Sequence, residues 1–196
     1  MGERGRVFPR QQVMPGQPRT GMQIARTAPG RDPVSLLVRF TSDNALAPIQ
    51  LAFAGVFDRF PKLKVYWAET QVGWLPYCLS QIDDNYERNR HWAERDWSMA
   101  PLKYRPSEYL CQRNLWGFMK DPLGVRLRHD VGVKALLWGS DFAHATGDWP
   151  ESRRVIDETF VGVPPDERYA MLAGNAIEFF KLKDTVPDVD ALIRAA

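Results

Sequence analysis

The stretch that decides the fold is KALLWGSDFAH, which runs from Lys134 to His144. Its first part, KALLW, is a short apolar run, which is typical of a buried strand. Gly139 and Ser140 follow, and Asp141 then places a carboxylate just beyond the strand end. An aspartate at this point is compatible with a helix cap, a turn residue or the working group of an active site. The rest of the sequence has to distinguish between these roles.

A second strand is predicted in KLKVYWA at residues 62–68, where β-branched and aromatic residues are concentrated. Helical patterns occupy 44–61, before this strand, and 75–97, between the two strands. We also predict a short helix at 107–118, and a further candidate strand is LLVRF at 36–40. Strands that alternate with helices predict a parallel α/β sheet or barrel, here a helix-rich one.

The amino-terminal 33 residues differ in composition from the rest of the chain. They contain five prolines and six arginines and show no apolar periodicity. Such a density of helix-breaking residues predicts extended or disordered chain. We therefore divide the sequence into an irregular segment at 1–33, one ordered domain at 34–183 and a carboxyl-terminal tail or helix at 184–196.

Composition excludes several classes of protein. The 196 residues are 44% hydrophobic, which is enough for one sizeable core. The 26 basic and 24 acidic residues give a net charge of +2, too small an excess for nucleic acid or an anionic membrane to be the main partner. The sequence contains no apolar run of about 18 residues, the length of a transmembrane span. Two distant cysteines, Cys78 and Cys111, have no metal-ligand spacing, so a reduced, cytoplasmic location is expected.

Two carboxylates follow the two predicted strands directly. Glu69 comes after KLKVYWA, and Asp141 comes after KALLW. Loops at the carboxyl ends of parallel strands meet on one face, which holds the active site in such folds. There the two carboxylates can share a metal ion or act as acid and base. The structural alternatives are a solvated charge or an arginine partner for Glu69, and a cap or turn for Asp141.

Other chemical groups are sparse. His144 follows the second carboxylate by three residues and can point into the same cavity, either as a ligand or as a structural residue. His91 and His129 lie in charged helical segments and are predicted at the surface. Trp74 and Trp149 fall near the strand ends, where they either line a pocket or fill the core. The sequence has no His-X-His, HExxH or CxxC motif, so local spacing alone defines no zinc site.

Four segments together resemble the amidohydrolase-related family, the metal-dependent barrel enzymes that include the aminocarboxymuconate-semialdehyde decarboxylase-like proteins. The segments are GVFDRFPKLKVYWAETQVGWLPYCLSQIDDNYER, RPSEYL, LLWGSDFAHATGDWPESRRVI and GNAIEFFKL, within roughly residues 45–183. Their order is more specific than any one of them. The resemblance implies a (β/α)8 TIM barrel, a divalent metal with zinc as the expected ion, and hydrolysis or decarboxylation of a small organic substrate.

The resemblance also implies roles for individual residues. Asp141 would bind the metal ion or act as the base that activates its bound water. Glu69 stands where many members have a metal-binding histidine, and we expect it to bind the metal or one of its ligands. His144 would orient or contact the substrate, as a catalytic residue. We expect Trp74 and Trp149 to contact the substrate.

The sequence departs from the family in one respect. Family members carry a His-X-His pair on the first strand and a further histidine on a middle strand, and this chain has neither. A complete barrel takes about 250 residues. We therefore expect a partial barrel, the carboxyl-terminal half of a truncated enzyme, with an incomplete metal site. The alternative is a non-catalytic, degenerate half barrel that forms a homo-oligomer or binds a complementing half barrel, since its edge strands would be exposed.

Overall fold

The computed structural model describes residues 43–97, 99–145 and 147–183. The predictions for 1–33, 36–40 and 184–196 lie outside the described residues. The elements, in chain order, are α1 (Asp43–Phe53), α2 (Val56–Arg59), β1 (Val65–Trp67), α3 (Leu75–Trp97), α4 (Pro106–Gln112), β2 (Asn114–Phe118), α5 (Pro122–Arg126), α6 (Arg128–Val131), a 3-10 turn (Val133–Ala135), β3 (Leu136–Trp138), α7 (Ser152–Thr159), α8 (Pro165–Tyr169), a π-helical turn (Ala170–Gly174) and α9 (Asn175–Phe179).

The three described strands form one parallel sheet in the order β1-β2-β3. Trp116 of β2 lies opposite both Trp67 of β1 and Leu136 of β3, which fixes the register across the sheet. Helices connect each strand to the next, as parallel pairing requires. This β-helix-β repetition is the building unit of a (β/α) barrel, and it brings all three strand ends to one face.

The central strand β2 shows that the helix predicted over 107–118 was wrong in its second half. Helix α4 ends at Gln112, and the chain then forms a strand in which all five residues are buried. Trp116 is 0% exposed and Phe118 1%. A strand buried on both faces has no alternation of polar and apolar residues, so periodicity cannot distinguish it from a buried helix.

The core lies between the sheet and the helices that cover it. Trp116 and Leu136 of the sheet pack in one cluster with Leu79 of α3 and Leu110 of α4. The Trp116 ring stacks on that of Trp67 at a centroid distance of 6.3 Å. Full burial of a large apolar side chain contributes about 1.5–3 kcal/mol. The sheet is therefore held in place by its helix-facing side chains, and the loops at its carboxyl edge rest on this fixed base.

Some of the predicted helix bounds agree with the structure and others do not. Helix α3 spans 75–97, as predicted. The helix predicted over 44–61 is divided, because Gly55 adopts a left-handed φ of 66° between α1 and α2. Asp121 caps α5 by accepting a hydrogen bond from the Gly124 amide at 2.8 Å. Within the described segments, every helix is too short or too polar to cross a membrane.

Candidate metal centre

Glu69, Asp141 and His144 converge at the carboxyl edge of the sheet. Each offers one ligand atom, and these atoms all lie within 4.8 Å of one another. Glu69 follows β1 and Asp141 follows β3, so parallel pairing on either side of β2 brings the two loops together. Two carboxylates and an imidazole form a donor set that suits a divalent transition metal. The residues present therefore fit the metal that the sequence resemblance implies.

Asp141 and His144 form a hydrogen-bonded pair. The His144 Nδ1 lies 2.9 Å from Asp141 Oδ2, and the His144 backbone amide donates to the Asp141 carbonyl at 2.8 Å. Asp141 has a left-handed φ of 54°, a conformation that aspartate tolerates better than most residues. The Asp141 side chain is 12% exposed and that of His144 67%. A carboxylate oxygen accepts this bond when Nδ1 carries the proton, and Nε2 is then the second ring nitrogen that a ligand can reach.

The loop after β1 is joined to β2 by several hydrogen bonds. The Thr70 amide donates to the Gly117 carbonyl at 2.9 Å, and the Thr70 hydroxyl donates to the same oxygen at 3.2 Å. The Gln71 side chain accepts from the Met119 amide at 3.2 Å. Glu69 and Gln71 have left-handed φ values of 55° and 52°. These bonds compensate for the unfavourable backbone conformation and hold Glu69 at the strand end.

A cavity of about 180 Å³ opens between the ends of the three strands. Glu69 and Asp141 both line it, together with Tyr66, Ala68, Phe118, Met119 and Gly139. Burial raises the pKa of Tyr66, and the nearby Glu69 charge adds to that rise. Ligand pockets usually measure about 300–1,000 Å³. This smaller cavity has room for an ion and one polar group of a ligand.

Asp148 is a further carboxylate of the loop after β3 that the sequence interpretation did not single out. Its backbone amide donates to the Ser140 carbonyl at 2.9 Å, and its buried Oδ2 has no hydrogen-bond partner among the described residues. Burial raises the pKa of Asp148; Lys120 opposes the rise, and the Asp141 charge adds to it. Acidic loop residues are usually solvated, so no local pattern predicts that this oxygen is buried.

Trp149 lies in the same loop as Asp141. Its side chain is 66% exposed, and its ring packs edge-to-face against the exposed ring of Phe142 at a centroid distance of 5.4 Å. Exposed aromatic rings that pack on each other offer an apolar surface to a planar ligand. This position is compatible with the substrate contact that the sequence predicts for Trp149, which stays a prediction.

Trp74 occupies a different environment from Trp149. Its indole nitrogen donates to the carbonyls of Thr70 and Gln71 at 3.0 and 3.1 Å, and its ring packs edge-to-face against Trp116 at 5.8 Å. The ring lines a groove beside α3 instead of the cavity that contains Glu69. The structure thus places Trp74 beneath the loop after β1, as a support for that loop.

Comparison with known proteins identifies the family. The sequence profile of a family described as amidohydrolase matches residues 15–182. The chain belongs to the amidohydrolase family. This confirms the family that the sequence resemblance indicated from residues 45–183, and the match also includes residues 15–44.

Two curated proteins similar to this amidohydrolase chain are named decarboxylases. The 2-amino-3-carboxymuconate-6-semialdehyde decarboxylase of Dictyostelium discoideum is 25% identical over 147 residues, which cover 74% of this chain and 39% of that protein. Decarboxylase orsB of Emericella nidulans is 30% identical over 105 residues, which cover 51% of this chain and 29% of that protein. The chain therefore spans well under half the length of the curated relatives it matches.

Three solved amidohydrolase structures show the same fold over part of their length. The 5-carboxyvanillate decarboxylase LigW of Sphingomonas paucimobilis has a TM-score of 0.56 and 21% identity, covering 68% of this chain and 38% of that one. An amidohydrolase of Mycobacterium avium subsp. paratuberculosis has a TM-score of 0.60 and 20% identity, covering 76% of this chain and 36% of that one. A dihydroxybenzoic acid decarboxylase of Polaromonas sp. contains bound manganese and the inhibitor 2-nitroresorcinol. It has a TM-score of 0.53 and 19% identity, covering 70% of this chain and 40% of that one. The partial TIM-barrel prediction is confirmed.

Proposed function

We propose that this chain carries the carboxyl-edge loops of a metal-dependent decarboxylase that acts on a small carboxylated organic substrate, with hydrolysis as the other reaction open to the same site. The observation that carries the proposal is the convergence of Glu69, Asp141 and His144 within 4.8 Å at the ends of parallel strands. Two curated relatives named as decarboxylases support decarboxylation over hydrolysis.

Glu69 and Asp141 are the residues we assign to a divalent ion. Their oxygen atoms, with the His144 imidazole nearby, suit Zn²⁺, which the family resemblance implies, or Mn²⁺, which one solved relative contains. When bound, such an ion supplies a Lewis acid that polarises an oxygen atom of the substrate.

His144 is the residue we assign to proton transfer. Decarboxylation replaces a carboxylate with a proton, so the site needs a donor where carbon dioxide leaves. Asp141 holds the imidazole through Nδ1 at 2.9 Å, which leaves Nε2 to deliver the proton. The 67% exposure of His144 allows the ring to be protonated again from solvent. Trp149 and Phe142 would present an apolar surface to a planar substrate.

A non-catalytic role remains the second candidate. Strands β1 and β3 are the two edges of the described sheet, and an edge strand can pair with a further strand. A complementing half barrel or a second copy of the chain could cover those edges. In that case the purified chain would form an oligomer and bind no metal.

The experiment that tests the proposal combines metal content, mass and activity of the full chain. Carbon dioxide release is measured after loading with Mn²⁺ or Zn²⁺, on a panel that includes 5-carboxyvanillate and 2,6-dihydroxybenzoate, compounds named for solved relatives. Hydrolysis of model esters and amides is measured in parallel. We expect release that depends on the metal and is lost in Asp141→Asn.

The matched control is Asp83→Asn. The Asp83 carboxylate of α3 accepts hydrogen bonds from Ser107 of α4, away from Glu69, Asp141 and His144. Its activity should equal that of the unmodified chain. An oligomer that binds no metal and releases no carbon dioxide would favour the second candidate. Equal activity in Asp141→Asn would refute the role of Asp141.

A further inference from the structure

The Asp121 carboxylate connects the loop after β1 to the start of α5. Its Oδ2 accepts hydrogen bonds from the backbone amides of Val72 and Gly73, at 2.6 and 2.7 Å. Its Oδ1 accepts from the Gly124 amide at 2.8 Å. One carboxylate therefore holds three backbone donors from two segments that are about 50 residues apart in the chain. Hydrogen bonds from backbone amides to a charged acceptor are stronger than neutral ones.

The two segments are packed too closely for side chains between them. A Cβ atom added at Gly124 would overlap the Cγ2 methyl of Val72 and lie 2.6 Å from Asp121 Oδ2. A Cβ atom at Gly73 would lie 3.0 Å from Asp121 Oδ1 and 3.3 Å from the Gly124 nitrogen. Glycine at these two positions allows the loop to rest directly on the first turn of α5. Val72 is itself 0% exposed, so the contact is part of the core.

This connection lies close to Glu69 along the chain. Val72 follows Glu69 by three residues, and the intervening Thr70 and Gln71 are bonded to β2. The loop is thus held at both ends, by β2 on one side and by the Asp121 carboxylate on the other. The segment that carries Asp141 is also bonded to β2, because the Gly139 amide after β3 donates to the Phe118 carbonyl at 2.9 Å.

We propose that Asp121 is a positioning residue that sets the distance between Glu69 and Asp141. This inference rests on the proposed function, since it assigns Asp121 to the support of that metal site. Asp121 does not touch the ion or the substrate in this account. It acts through the backbone of the loop, as outer-shell carboxylates do when they orient metal ligands.

The substitution Asp121→Asn separates the two tasks of this carboxylate. Asparagine is as good a helix cap as aspartate, so its oxygen can still accept from Gly124. Its NH2 group would then face the backbone amides of Val72 and Gly73, and an NH2 group cannot accept hydrogen bonds from them. Hydrogen exchange of the Thr70 to Gly73 amides is measured without metal, and Mn²⁺ affinity is measured by calorimetry. We expect faster exchange in this loop and a ~10- to 100-fold loss of Mn²⁺ affinity.

Asp83→Asn is the control. It also replaces a carboxylate whose hydrogen bonds join two elements, but those elements are α3 and α4, away from the metal site. It should leave loop exchange and Mn²⁺ affinity unchanged. Gly124→Ala is the second variant. Its Cβ atom would displace both Val72 and the Asp121 carboxylate without removing the charge, so it should lower Mn²⁺ affinity as well.

The outcomes separate the inference from the proposed function. Faster loop exchange with unchanged Mn²⁺ affinity in Asp121→Asn would show a merely structural residue and overturn the inference. If the unmodified chain binds no Mn²⁺, the proposed function fails. The hydrogen-exchange rates of the Thr70 and Gln71 amides then test whether Asp121 positions the loop. Unchanged rates in Asp121→Asn would overturn that role.

Discussion

The carboxylates of this chain fall into two groups with different surroundings. Away from the candidate site, Asp58 and Asp83 each accept hydrogen bonds from a neighbouring element. Asp58 accepts from the Tyr109 hydroxyl at 2.7 Å, and Asp83 accepts from the Ser107 amide and hydroxyl at 2.9 and 2.6 Å. Such bonds connect neighbouring elements, and breaking one leaves a partly buried group without a partner.

At the carboxyl edge of the sheet, Glu69 and Asp141 line one cavity, and His144 is hydrogen-bonded to Asp141. Glu69 and Asp141 lie within 4.8 Å of each other, and the buried Oδ2 of Asp148 has no hydrogen-bond partner in the described part of the chain. Like charges in one small cavity disfavour each other unless a cation is present. The difference between the groups indicates that the first serves the fold and that the second is arranged for a ligand.

The largest effect should come from Asp141→Asn, which removes a charge from the second group. We expect Mn²⁺ affinity to fall by more than ~100-fold, beyond the loss typical of outer-shell changes. Stability should not fall, because one of the repelling charges is gone. Calorimetric titration and urea unfolding measure the two quantities. A large loss of stability with little loss of affinity would place Asp141 in the first group.

Asp83→Asn should give the opposite pattern. The amide is a neutral and weaker acceptor than the carboxylate, although its NH2 group can donate to the Ser107 hydroxyl, so we expect a loss of about 1 kcal/mol in the free energy of unfolding. Mn²⁺ affinity should stay unchanged. Urea unfolding at neutral pH measures the loss, and a change in metal affinity would contradict the separation of the two groups.

The free energy of unfolding should depend on pH through Tyr109, whose hydroxyl donates to Asp58 of the first group. Burial, and then the hydrogen bond to Asp58, raise the pKa of Tyr109 from 10.0 to about 12. The folded chain therefore keeps a proton that the unfolded chain loses, so this stabilisation is complete below pH 10 and is lost as the pH rises through about 12. The slope of unfolding free energy against pH should be steeper in the unmodified chain than in Tyr109→Phe. Equal slopes would refute the raised pKa.

The smallest effect on stability should come from His144→Ala. Its side chain is 67% exposed, and its partner Asp141 can be solvated through the cavity. We expect a change within about 0.5 kcal/mol in the free energy of unfolding, while carbon dioxide release falls. Thermal unfolding and the activity assay measure both. A loss of several kcal/mol would mean that the His144–Asp141 bond is structural.

Much of the fold could be predicted from the sequence because its signals are local. β1 and β3 end in polar loops, and α3 shows a clear helical period over 75–97. The strand-end rule selected Glu69 and Asp141, and the structure brings them together with His144. Their metal and catalytic roles stay predictions.

The rest depends on contacts that sequence spacing does not contain. β2 is buried on both faces, so it has no alternating pattern. The Asp-Pro pair at 121–122 is a signal for a helix cap, but its bonds to Val72 and Gly73 come from packing between distant segments. Trp74 lies close to the site along the chain, and yet its ring turns toward Trp116 in the core.

If Glu69 and Asp141 together hold a divalent ion, a Mn²⁺ titration of the unmodified chain, Glu69→Gln and Asp141→Asn will show it. We expect one ion per chain in the unmodified protein. Affinity should fall by at least ~10-fold in each variant, with Asp83→Asn unaffected. Equal binding in all four proteins, or no binding in the unmodified chain, would contradict this assignment.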